Sequence, residues 1–202
     1  MDTIELLVKL DELSGWRKKE LIQAQYLAEN SSNVESTRYL CRVWVLIMYA
    51  HCDSFLKQAA SAYFQYLKLN FDSITDYKHD LIWFLTHAEN NFIATDKKYK
   101  SFDLYMNGDE NFFFSDHIVK SVLNNSSFSY KHLRNYCDWL LQIKFPYSEI
   151  QFFCRKLKEN RDKISHGEEV YIDSPEDCKQ WNKDTIDFID KLKNAIIEKA
   201  SS

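Results

Sequence analysis

Three glycines and two prolines in 202 residues limit what this chain can fold into more than any other feature. Together they make up about 2.5 % of the chain against a usual ~12 %, and folds built on tight turns need more of both. All-β sandwiches and barrels are excluded on that ground, as are glycine-rich phosphate loops of the P-loop or dinucleotide type. An all-α chain remains. At 202 residues the length fits one domain carrying an insert better than two domains. With 45 % hydrophobic and 15 % aromatic residues there is enough apolar side chain for a core, which rules out global disorder. A net charge of -4 excludes a protein that coats nucleic acid by charge alone, but it leaves room for a local basic face.

The five cysteines, Cys41, Cys52, Cys137, Cys154 and Cys178, form no C-x-x-C pair and no zinc-ligand spacing, so they read as reduced packing thiols. No metal and no cofactor is expected. Met1 to Leu13 is acidic and amphipathic, unlike a signal peptide. The longest apolar run, Val43 to Ala50, falls well short of the ~20 residues that span a bilayer. A cytoplasmic protein without a membrane partner is the expectation.

Helical spacing places two N-terminal helices within 1–33, with Gly15 as the break between them and Asn30 to Asn33 as a loop and cap signal. From about Val34 to Leu69 an uninterrupted pattern, apolar nearly all round at its middle, marks a central helix. Residues 71–114 mix aromatics and lysines without a clean period and read as a less regular insert within a bundle covering 34–202. Beyond it, Ser115 and Ser129 are expected to cap two short helices, the second stopped by Pro146. Ser148 with Gln151 has the form of a capping box that opens the next helix, and Gly167 has the form of its terminator. Ser174-Pro175 opens the last helix.

The residues singled out for chemistry are Arg161, Asp162 and His166. An arginine fork suits a phosphate and an imidazole suits proton transfer near neutrality. An Arg followed five residues later by a His is a common coincidence in a chain with six of each, and an imidazole that satisfies terminal helix carbonyls is the plainer account of that spacing alone. Five positions on an ideal helix leave two side chains about 140° apart, so a shared ligand needs a distorted helix end or a second subunit. Between His117 and Lys163 nine basic residues face four acidic ones, a local +5 that a phosphate-bearing partner would prefer and that also fits a solvated helix surface. His51 beside Cys52 reads as core packing rather than a nucleophile pair. His79 and His87 lack a carboxylate at ligand spacing. Lys97, Lys98 and Lys100 around Tyr99 read as a solvated loop.

The run Asn160-Arg161-Asp162-Lys163-Ile164-Ser165-His166-Gly167 resembles the R-(polar)-x-x-x-H signature of the HEPN superfamily, in the form found in its RiboL-PSP and MAE-type bacterial branch. Upstream, Tyr49-Ala50-His51-Cys52-Asp53-Ser54-Phe55-Leu56-Lys57 resembles that branch's first core helix, which tends to read Y-A-x-x-E-x-F-x-K. The resemblance covers about 36–199. It implies an up-and-down helical bundle of the HEPN type, here with extra N-terminal helices, that dimerises so that two motif helices form one composite RNA-cleaving cleft. It further implies a metal-independent endoribonuclease in which Arg161 binds the scissile phosphate and His166 moves a proton, leaving a 2′,3′-cyclic phosphate. Asp162, where Asn is commoner, would orient the His or the Arg. Asp53 stands where Glu is frequent, against the alternative of a helix-surface acid. Asn160, Lys158 and Lys163 would support the site or contact RNA. The resemblance points to a toxin or antiphage-defence effector, restrained by an antitoxin or other regulatory partner. Members controlled by nucleotidylation carry Tyr two residues after the His, and here that position is Glu168. A reading from another class stays open: a HEPN-like module that binds a nucleotide or a protein without cutting RNA.

Overall fold

A computed structural model describes residues 1–70, 127–172 and 174–201. Among these residues there is no strand, and the helices pack as an all-α bundle. Helix α1 spans Thr3–Glu29, α2 Val34–Asn70, α3 Tyr130–Asn135, α4 Tyr147–Ser165 and α5 Pro175–Ala200.

Helix α2 is the post around which the others pack. At 1.5 Å per residue its 37 residues reach about 55 Å. Its apolar positions point several ways, so it buries Trp44, Met48, Cys52, Phe55 and Ala59 among α1, α4 and α5 in one continuous core. Two hydrogen bonds through the buried Asn182 tie three helices together. Trp44 Nε1 donates to Asn182 Oδ1 at 3.0 Å, and Asn182 Nδ2 donates to Gln25 Oε1 at 3.0 Å. A second polar seam joins α1 to α2. The buried Arg17 donates to Gln58 Oε1 at 2.8 Å and Ser54 Oγ at 3.0 Å, and burial pulls its pKa down to about 10.

The expected break at Gly15 does not form: α1 is one helix of 27 residues running through it. A mid-helix glycine costs about 1 kcal/mol relative to alanine. Burial of Leu6, Leu10, Leu21, Ala24 and Ala28 outweighs that cost. The N-terminal helices expected within 1–33 are therefore a single helix, and its buried face belongs to the same core as the rest.

Ser129 does cap α3, accepting from the His132 backbone N–H at 3.3 Å. The helix it opens then widens into a π-helical turn over Tyr136–Leu140, where Leu141 N–H reaches back to Tyr136 O at 2.7 Å. It ends there rather than at Pro146. Pro146 instead leads into α4, which starts at Tyr147. Ser148 consequently lies inside the first turn, and the expected capping box with Gln151 is absent because a residue with helical backbone cannot act as the cap. Asn33 caps α2 through its side chain, bonded to Ser36 N–H at 2.8 Å. Ser174 and Asp177 close the start of α5, with Pro175 as its first residue. The expectations for 71–114 and for Ser115 lie outside the described residues.

All five cysteines are buried and unpaired by disulfides. Burial raises the pKa of Cys52 far above the usual thiol range, which leaves it an inert packing group. His51 points the other way, toward α1, with Nε2 2.9 Å from Glu20 and its ring edge-on to Trp16. The adjacent pair is therefore packing and not a nucleophile with its base.

Candidate functional site

Helix α4 carries the motif, and its C-terminal end is built by backbone alone. The last turn closes with His166 N–H on Asp162 O at 3.0 Å, Gly167 N–H on Ile164 O at 3.2 Å and Glu168 N–H on Lys163 O at 2.9 Å. The last two bonds are the paired signature of a Schellman stop, which needs a left-handed residue after the cap. Gly167 supplies it at φ 72°. His166 is thereby the helix cap itself, its imidazole exposed and, among the described residues, bonded to no protein group.

One turn earlier, three charges meet. Asp162 accepts from Arg161 Nη1 at 2.8 Å and from Lys158 Nζ, so two cations share one carboxylate. Those bonds lower the Asp162 pKa and keep it ionised, and the same contact with Asp162 raises that of Arg161. The trio carries a net single positive charge.

The guanidinium of Arg161 is held from beneath by α2. Its Cζ lies 4.6 Å from the ring centroid of Tyr49, a cation–π geometry. Tyr49 is itself buried and immobilised, its hydroxyl donating to Phe128 O at 3.0 Å and its ring edge-on to Phe128. Burial is the main reason its phenol pKa is raised, so the ring stays neutral beneath the cation. One turn along α2, Asp53 pairs with Lys57 at 2.7 Å, and its charge acts on both Arg161 and Tyr49. Of the Arg161 donors only Nη1 has a protein acceptor among the described residues. Nε and Nη2 have none among those residues, on a side chain that is 37 % exposed.

The structure thus brings Arg161, Asp162, Lys158 and Asp53 together. It does not bring Arg161 to His166 within one chain, as no bond joins the two side chains. Asn160 turns aside, its amide donating to Lys156 O at 2.9 Å, and Lys163 is exposed with no side-chain partner among the described residues. Tyr49 was not named as a site residue from sequence, although it stands four residues before Asp53 in the run that carried the resemblance.

Beside this cluster a cleft of about 300 Å³ opens between the start of α3 and the outer face of α4. Lys131, Arg155, Lys158 and Asp162 stand around it, with Tyr130 and Cys154 among its walls. Among the described residues no group of three or more His, Cys, Asp or Glu is placed to hold a metal ion. None of the described helices is long and apolar enough to cross a membrane.

A family model described as HEPN_MAE_28990-like HEPN matches residues 6–202. The chain belongs to that HEPN family. The match takes in most of α1 as well as the motif helix α4. No curated protein and no solved structure is a significant match to the chain.

Proposed function

We propose that this HEPN protein is an endoribonuclease in which Arg161 holds the scissile phosphate and His166 transfers a proton. The observation that carries the reading is the Arg161 guanidinium, seated on the Tyr49 ring at 4.6 Å with no protein acceptor for Nε or Nη2 among the described residues. A planar fork fixed in place with spare donors is what a tetrahedral phosphate needs as charge builds on its oxygens. In the cleavage, the ribose 2′-hydroxyl loses its proton and attacks the adjacent phosphorus. The bond to the 5′-oxygen breaks and that oxygen takes up a proton, leaving a 2′,3′-cyclic phosphate and a 5′-hydroxyl. Asp162 offsets one of the two neighbouring cations, and the remaining positive charge still favours an anion. Five positions on a helix set His166 about 140° round the axis from Arg161. A dimer in which the His of one copy meets the Arg of the other therefore gives both groups to one phosphate. The resemblance supports a setting in toxin or antiphage defence, with a restraining partner.

A second reading has its own observation. The Arg161–Asp162 ion pair occupies part of the fork, as suits a module that binds a nucleotide without cutting it. Purified wild type, His166→Ala and Asp162→Asn proteins incubated with total RNA in excess chelator separate the two. Cleavage by wild type and by Asp162→Asn, with a loss of about 10² to 10⁴-fold in His166→Ala, supports the nuclease. Binding without cleavage by all three supports the module, and cleavage by His166→Ala at the wild-type rate sinks the site.

A further inference from the structure

Helix α1 is apolar on two faces, and only one of them is used. Leu6, Leu10, Leu21, Ala24 and Ala28 are buried against α2 and α5. On the opposite face Ile4, Val8, Ile22 and Tyr26 are 72 %, 52 %, 59 % and 58 % exposed. At 100° per residue these four fall within a strip about 40° wide, and Gly15 lies at its middle. Among the described residues nothing requires glycine at position 15. A Cβ there would meet nothing within 4 Å, and the helix continues through it without a kink or a left-handed residue. Glycine in that place weakens the helix and yields no internal packing.

The strip is also symmetric about Gly15. Ile4 and Tyr26 stand eleven positions before and after it, and Val8 and Ile22 stand seven. Glu12 and Lys19 flank the strip on its other side, at three before and four after, and among the described residues neither has a side-chain partner. The opposite flank is already engaged with α5, where Asp11 receives Lys193 at 2.7 Å and Lys18 pairs with Asp190.

We propose that this face of α1 is an interface with a second copy of the chain, the two α1 helices lying antiparallel and crossing at Gly15. A two-fold axis normal to the plane of such a pair keeps each flank on its own side and reverses the direction along the helix. It therefore sets Ile4 against the other copy's Tyr26, Val8 against its Ile22, and Glu12 against its Lys19. Each apolar pair and each ion pair occurs twice, as an isologous contact requires. The two Gly15 residues meet at the axis, where the absence of side chains brings the helices to the short end of the usual ~8–10 Å separation. The contact contains no residue of the α3–α4 cleft, so it stands apart from the catalytic reading and adds to any pairing of the motif helices.

The test is sedimentation velocity on the full chain up to about 100 µM, alongside circular dichroism. Gly15→Glu places two like charges at the axis while improving helix propensity, so the fold is not at risk. It should lower the molar mass of the wild-type assembly by half and raise the dissociation constant of that contact tenfold or more. Glu12→Lys alone should weaken association by about three- to tenfold, and adding Lys19→Glu should restore it. A wild type that stays monomeric throughout, with the strip covered by another segment of the chain or by a different protein, overturns the proposal. So does an assembly indifferent to Gly15→Glu, and so does a charge swap that restores nothing. None of these results depends on whether RNA is cut.

Discussion

Tyr49 shows how a residue without chemistry of its own can decide a site. Its ring lies under the Arg161 guanidinium and its hydroxyl is bonded to Phe128 O, two roles that separate variants can split. Tyr49→Phe removes the buried bond and keeps the ring. It should cost about 1 kcal/mol in urea unfolding and leave cleavage near the wild-type rate. Tyr49→Leu removes the cation–π contact as well, worth about 0.5–2 kcal/mol, and should lower the cleavage rate per folded molecule up to some tenfold. Equal rates for the two variants would show the ring to be structural only. Arg161, Asp162 and His166 were legible in the sequence because they sit in one short run. Tyr49 was not, because its role exists only where α2 crosses α4, and no local pattern in either helix reports that crossing.

At the scale of elements, the helices were legible wherever apolar residues recurred at helical spacing without interruption, and their joints were less so. The long α2 and the Gly167 stop of α4 are as the pattern implied, since each rests on local chemistry. The Gly15 break failed because burial along α1 exceeds what one glycine costs. The extent of the α3 helix failed because a π-helical turn keeps Leu133, Tyr136, Leu140 and Leu141 buried with a different hydrogen-bond register. The stop itself can be tested. Gly167→Ala puts a Cβ on a residue at φ 72°, where nothing crowds it and only backbone strain opposes it. Stability should fall by about 1 kcal/mol, and cleavage should fall with it because that cap sets the position of His166. An unchanged melting temperature would mean that the helix end reorganises without cost. The α1–α2 seam has a pH signature. Burial, with Arg17 close by, depresses the pKa of His51, and Glu20 only partly opposes this. The unfolded chain therefore binds a proton below about pH 6.5 that the folded chain refuses. Stability should be unaffected by His51 above neutrality and should drop as pH falls from there toward the folded pKa. In urea unfolding between pH 7.5 and pH 5, His51→Gln should show a flatter dependence than wild type, and parallel curves would contradict the assignment.

For the molecule as a whole, a net charge of -4 conceals an uneven distribution, and the cleft beside α4 is where the imbalance matters. Many of the basic side chains on α3 and α4 have acidic neighbours: Arg134 faces Asp138 at 3.5 Å, and Lys156 and Arg155 share Glu159 at 3.4 Å and 3.9 Å. Such exposed pairs contribute little individually, and a phosphate can replace the carboxylate at small cost. Lys131, Arg155 and Lys158 around the cleft, together with Arg161 beside it, are the cations a single strand would meet. Four phosphate contacts predict that the logarithm of the RNA association constant falls with the logarithm of salt at a slope near -3, at about 0.7 per contact. The measurement is fluorescence anisotropy with the His166→Ala protein, which binds without consuming its ligand. Lys131→Ala and Arg155→Ala should each make the slope shallower by about 0.7, while Lys68→Ala, on α2 outside the cleft, should leave it unchanged. A slope near zero, or one that Lys68→Ala shifts as much as Arg155→Ala does, would move RNA off this face of the bundle. That outcome would also remove the reason for reading the local +5 of the sequence as anything more than a solvated helix surface.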